Sequence, residues 1–88
     1  MNNKYLKFKN ILPPLPNPNF EPIINLISNR EATVEGCIGI LEYNDAFVSI
    51  NCRNFVLNFN GFDFSIKSNP DSSITVTGNI SDIGFSIL

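Results

Sequence analysis

The sequence predicts an all-β domain, a small antiparallel sandwich or roll built from consecutive hairpins, with about six to eight short strands. Three observations carry that prediction. Short alternating apolar segments recur along the chain with a turn signal about every 8–12 residues. Residues 54–67, NFVLNFNGFDFSIK, alternate apolar and polar on both sides of Asn60-Gly61. Nowhere does the spacing demand a helix of two turns.

Residues 1–10 carry three of the four lysines, Lys4, Lys7 and Lys9, interleaved with Tyr5, Leu6 and Phe8. They read as a weakly docked terminus or as a short docking segment for a partner or an acidic surface. Residues 10–21 hold Pro13, Pro14, Pro16 and Pro18, which exclude helix and ladder strand. Residues 1–21 are therefore expected to be a basic, then proline-rich, extended lead, and residues 22–88 a single β domain. Pro13 and Pro16 form a PxxP, a common and weak pattern.

Residues 22–28 read as the first strand, with Ile24 and Leu26 on one face and Asn29-Arg30 as a two-residue turn. Residues 31–43 read as one long strand kinked at Gly36 and Gly39, because glycine inside a strand marks a bulge, a bend or a close approach. Val34, Leu41 and Tyr43 then face the core. Asn44-Asp45-Ala46 is the next turn. Pairing Tyr43 with Val48 and Leu41 with Ile50 sets apolar on apolar in residues 47–52.

Asn60-Gly61 is the strongest local signal. Both residues take φ > 0 easily, as a type I′ hairpin turn requires. A turn there sets Phe59 opposite Phe62, Leu57 opposite Phe64 and Phe55 opposite Ile66. Residues 68–73, SNPDSS, form a loop. Residues 74–80 alternate again, Ser81-Asp82 turns the chain, and residues 83–88 return. Ile80 then faces Ile83, Gly78 faces Phe85, and Val76 faces Ile87, with an aromatic ring covering a cross-strand glycine. The last strand is expected at an edge, and an exposed edge invites another strand.

Composition narrows function by exclusion. The chain has 88 residues, 16% of them charged, and a net charge of -2. That balance argues against a nucleic-acid binder, which needs a basic face. No apolar run reaches the ~18 residues of a membrane span, and the lysine-bearing start lacks the apolar core of a signal peptide. A cytoplasmic protein is expected. Histidine is absent, which removes the commonest general base and metal ligand. Cys37 and Cys52 are too few for a disulfide framework or a metal site and are expected to be reduced. Asp63 and Asp82 read as turn residues, and Glu35 and Glu42 as a solvated strand face. No catalytic, cofactor-binding or metal-ligating residue is assigned, and no cofactor is expected. Most aromatics alternate as core residues do. Phe62, at a turn flank, is the best candidate for an exposed apolar contact. Phe85 and Ile87, on the last strand, complete the candidate interaction surface.

From Pro22 onward the chain resembles the YabP/YqfC family of bacterial sporulation proteins. The resemblance rests on Pro22, Ile24 and Leu26; on Val34-Glu35-Gly36 followed by Gly39-Ile40-Leu41 and Tyr43; and on Val48 with Ile50. It continues through Leu57, Phe59, Gly61, Phe64 and Ile66, and ends on Ile74, Val76, Gly78, Ile80, Ile83 and Phe85. Phe59 and Phe64 stand where that family has aliphatics, Phe62 stands where it tends to be polar, and the proline-rich lead is not part of its pattern. The resemblance implies a non-enzymatic structural or protein-interaction domain, acting in spore development or spore-coat assembly. It would work in the cytoplasm of the mother cell or forespore and associate with itself or with other sporulation proteins, as a homo-oligomer if an edge strand pairs. The alternative, read from Asn51, Asn54, Asn58 and Phe47, is a small β-domain that binds carbohydrate or peptidoglycan fragments.

Overall fold

The computed structural model describes residues 21–87. The basic segment, the PxxP of Pro13 and Pro16, and Leu88 lie outside the described residues. Among the described residues, six strands form one antiparallel sheet: β1 (Ile23–Ile27), β2 (Glu31–Glu35), β3 (Gly39–Tyr43), β4 (Phe47–Asn51), β5 (Phe55–Ser68) and β6 (Ile74–Ile87), in the order β1-β2-β6-β5-β4-β3. The all-β class is as the sequence predicts.

The sheet closes on itself around one core. Ala32 and Val34 of β2 share a buried cluster with Val48 and Ile50 of β4, although these strands are not neighbours in the sheet. Leu57, Phe59 and Phe64 of β5 and Ile74, Val76 and Ile80 of β6 complete it. The two long strands make the closure possible, because each runs through both halves of the sheet. The first part of β6 pairs with β2, and the first part of β5 pairs with β4.

Both long strands are bent by bulges. The β5–β6 register shifts between Asn60 and Gly61 and again between Phe62 and Ser65. Each shift sets extra residues on one strand, which bends it and raises its twist. A hairpin tip grips each bend. The β3–β4 turn accepts hydrogen bonds from Gly61 N–H at Ala46 O (3.1 Å) and from Phe64 N–H at Asp45 O (3.1 Å). The β1–β2 turn accepts them from Gly78 N–H at Arg30 O (3.1 Å) and from Ile80 N–H at Asn29 O (2.7 Å).

Several local expectations are corrected. Asn60-Gly61 is not a hairpin turn. The left-handed residue nearby is Asp63, with φ 60°, and β5 continues through it. Gly61 serves closeness instead: a Cβ there would collide with the Asn79 carbonyl. Phe62 therefore lies opposite Asn79, and Ile66 opposite Val76. Ser81-Asp82 is likewise inside β6, so Phe85 faces Leu57 and Ile87 faces Phe55 rather than Gly78 and Val76. An aromatic does cover Gly78, but it is Phe64, whose Cδ1 lies 2.8 Å from where a Cβ would sit. The one real turn between the long strands is residues 69–73. Asp71 accepts from Ser73 N–H (3.1 Å) and Oγ (2.7 Å) there, and Asn69 Nδ2 donates to Ser73 Oγ and Thr75 Oγ1.

Residues 31–43 are two strands, not one kinked strand, and they separate at Gly36, whose φ is 78°. The first turn spans Ser28–Arg30, because Ile27 pairs with Glu31. Tyr43 pairs with Val48 as expected, but a bulge between Ile40 and Glu42 places Ile40, not Leu41, opposite Ile50. Leu41 is buried all the same, whereas Tyr43 is exposed and donates its hydroxyl to Phe64 O (3.2 Å).

Candidate functional site

Two polar features can be built from the residues, and one apolar one. The face of the β4–β5–β6 layer turned away from the core cluster, on which Ser49 and Val56 are also buried, carries a ladder in which Ser49 Oγ donates to Asn58 Oδ1 (3.2 Å) and Asn58 Nδ2 donates to Ser86 Oγ (2.9 Å). Cross-strand pairing sets this ladder, since Asn58 lies opposite both Ser49 and Gly84. Asn51, beside it, is buried and accepts from Arg53 N–H (3.2 Å), while its Nδ2 has no partner among the described residues. Of the polar residues read as a glycan face, only Asn54 is exposed. Asn58 is half-buried with both ends of its amide engaged, and Phe47 is half-buried on β4.

The two cysteines are free and buried. Burial raises the Cys37 thiol, and burial together with the nearby Cys37 pushes Cys52 up to about 12. A thiol so raised stays protonated at neutral pH and is a poor nucleophile. Among the described residues, no group of three or more His, Cys, Asp or Glu is placed to hold a metal ion. No helix among them is long and apolar enough to cross a membrane.

The apolar feature is the C-terminal part of β6. From Asp82 to Ile87 it pairs with β5 on one side, and among the described residues no strand pairs with its other side. Ile83, Phe85 and Ile87 lie opposite Phe59, Leu57 and Phe55, and side chains directly opposite share a face. They therefore stand on the face that forms the core, at its open margin. Ile83 is half-buried, Phe85 is 60% exposed and Ile87 is 80% exposed. The Phe85 ring meets Phe55 edge-on, with centroids 5.2 Å apart and planes at 70°.

Phe85 and Ile87 are thus brought together with Phe55, which sequence reasoning did not include. The signal for Phe55 was its alternation with Leu57, but the hairpin assigned at Gly61 gave it Ile66 as a partner. Phe62 is exposed as expected, at 56%. It sits at the β5 bend rather than beside a turn, and across from Asn79 instead of the β6 margin. The sequence also missed a second apolar edge. On β1, Ile23, Leu26 and Ile27 are exposed.

No family model, curated protein or solved structure matches the chain.

Proposed function

We propose that this chain is a non-enzymatic protein-interaction module that docks an extended segment of a partner along the free margin of β6, and that it serves spore development or spore-coat assembly. The observation that carries the docking element is the margin itself, which no strand pairs among the described residues. An edge strand offers a row of unmet N–H and C=O groups to another strand, and here the row is flanked by the exposed side chains of Phe85 and Ile87. Natural edges are commonly blunted by charge, proline, a bulge or shortness. β3 has a bulge and Glu42, and β1 starts directly behind Pro22. Residues 83–87 have neither charge nor proline. The biological setting rests on the resemblance set out above, with the mother cell or forespore cytoplasm as the compartment.

The glycan-binding reading has less support, because Asn51 is buried and Asn58 spends its amide on Ser49 and Ser86. The test is genetic. Deleting the coding sequence in the source organism is expected to lower the yield of heat-resistant spores without slowing vegetative growth, and a chain carrying Phe85→Pro should not restore it. An undiminished spore yield in the deletion strain defeats the sporulation setting. Full rescue by Phe85→Pro defeats the docking element.

A further inference from the structure

The occupant of the β6 margin can be named from the direction of its backbone groups, an inference that rests on the docking reading above. In an antiparallel sheet, the N–H and C=O of one residue point to the same neighbouring strand, and successive residues alternate. Cys52 N–H donates to Phe55 O (2.9 Å), and Gly61 N–H donates to Ala46 O (3.1 Å). Both bonds belong to one alternation. Phe55, Leu57, Phe59 and Gly61 address the β4 side, so Val56, Asn58 and Asn60 address β6. Their partners are Ser86, Gly84 and Asp82. The intervening β6 residues, Ile83, Phe85 and Ile87, then turn their N–H and C=O groups away from β5, toward the unpaired side. The residues with outward backbone groups are the residues with apolar side chains on the core-side face.

We infer that the partner of this margin is a second copy of the same chain, paired antiparallel about a two-fold axis at Phe85. In that register Phe85 lies opposite Phe85 of the second copy, and Ile83 opposite Ile87. All of these are outward residues, so each pair exchanges both of its N–H···O bonds. A two-fold axis perpendicular to the sheet keeps the apolar faces of both copies on the same side, so Phe85 meets Phe85 and each Ile87 packs beside an Ile83. On the other face Gly84 lies opposite Ser86, and a Cβ at Gly84 would meet nothing within 4 Å, which leaves room there. Charge does not oppose the self-pairing. The paired segment is uncharged, and Asp82 is its nearest acid. Antiparallel pairing puts the two Asp82 side chains at opposite ends of the segment, roughly 20 Å apart at ~3.3 Å per residue, where they repel little. The result joins two sheets into one that is continuous through β6. The contact is one strand wide, at the small end of specific interfaces, and a weak dimer is expected.

The experiment measures the mass of the full chain by light scattering from about 1 μM to about 1 mM, the span of weak affinities. Amide hydrogen exchange is read by NMR at both ends of the range. The expected result is a rise from monomer to dimer mass. The Ile83, Phe85 and Ile87 amides should be unprotected when dilute and protected when concentrated, and those of Gly84 and Ser86 protected at both. Phe85→Pro removes an outward N–H without taking a bond from the β5 ladder, so it should stay monomeric at every concentration. Ile87→Lys, at a side chain already in solvent, is a second route to the same loss should the proline variant fail to fold. A monomer throughout overturns the inference, as does a dimer that a folded Ile87→Lys variant keeps. So does protection confined to one end of residues 83–87. None of these results touches the docking reading, which falls only if Phe85→Pro restores spore yield.

Discussion

The two halves of β6 alternate equally well in sequence and end in opposite conditions. Ile74 and Val76 in the first half are buried; Phe85 and Ile87 in the second are exposed, although both sets face the core side. The difference lies in the neighbours. The first half has β2 on one side and β5 on the other, while among the described residues the second half has β5 alone. Beyond the bend the β1–β2 turn takes the Gly78 and Ile80 amides and reaches no further. Alternation therefore says which way a side chain points, and only the sheet's extent says whether anything covers it.

The sharpest way to break this comparison is to place a carboxylate at matched positions. Val76 is fully buried between Ala32 and Ile66. Val76→Asp buries an unpaired charge and is expected to destabilise the fold by more than about 4 kcal/mol, enough to unfold a domain of this size. Ile87→Asp should shift stability by no more than about 0.5 kcal/mol, as at other solvated positions. Denaturant melts of both variants decide it, and comparable losses would mean that the second half is covered after all.

The bend between the halves comes next. Gly78 has φ 147°, and a Cβ on it would lie 2.8 Å from Asp63 O and from the Phe64 ring. Gly78→Ala combines backbone strain with a clash against a backbone oxygen, and about 2–3 kcal/mol is expected to be lost. Gly84→Ala, in open space, serves as the control and should be near neutral. If the two cost the same, the bend is not held by close approach at Gly78.

A smaller effect is expected at the Ser49–Asn58–Ser86 ladder. Asn58→Ala leaves the buried Ser49 hydroxyl without its acceptor and frees Ser86, at a cost of about 1–3 kcal/mol. The double change Ser49→Ala with Asn58→Ala should recover part of that loss, since it removes the stranded hydroxyl. Absence of recovery would show that the ladder acts through packing alone.

These cases also show how much of the structure was legible beforehand. Faces were: Ile24 with Leu26, Val48 with Ile50, and Leu57 with Phe59 each share a side, as alternation requires. Strand ends were not. Asn60-Gly61 has the local chemistry of a tight turn, yet β5 only bends there and continues, because a single long β5–β6 hairpin closed at residues 69–73 pairs more of the backbone than two short ones. The reason for Gly61 is contact with Asn79, eighteen residues later in the chain, and no local pattern carries that. Phe85 and Ile87 were placed on an edge strand from the sequence, but their true partners, Leu57 and Phe55, depended on the same misassigned turn.

Solution pH probes the buried half more gently. The Cys52 thiol is held up to about 12 against an ordinary value of 9.0. A group whose folded value is raised contributes stability that is complete below the unfolded value and is lost as pH climbs toward the folded one. Stability should therefore be level through neutrality and fall from about pH 9 upward. The Cys52→Ala variant should lose less over that window than the parent chain.

The smallest effect is the most informative about the exposed half. Ile87→Ser removes apolar surface that the isolated fold scarcely buries, so a dilute sample should melt within about 0.5 kcal/mol of the parent. At high concentration the same variant should melt below the parent, because stability gained from association depends on protomer concentration. A difference that grows with concentration means that Ile87 contributes to a contact the single chain does not contain. A difference that is the same at every concentration would place its contribution inside the monomer, through Phe55 and Phe85, and the two halves of β6 would then differ in degree rather than in kind.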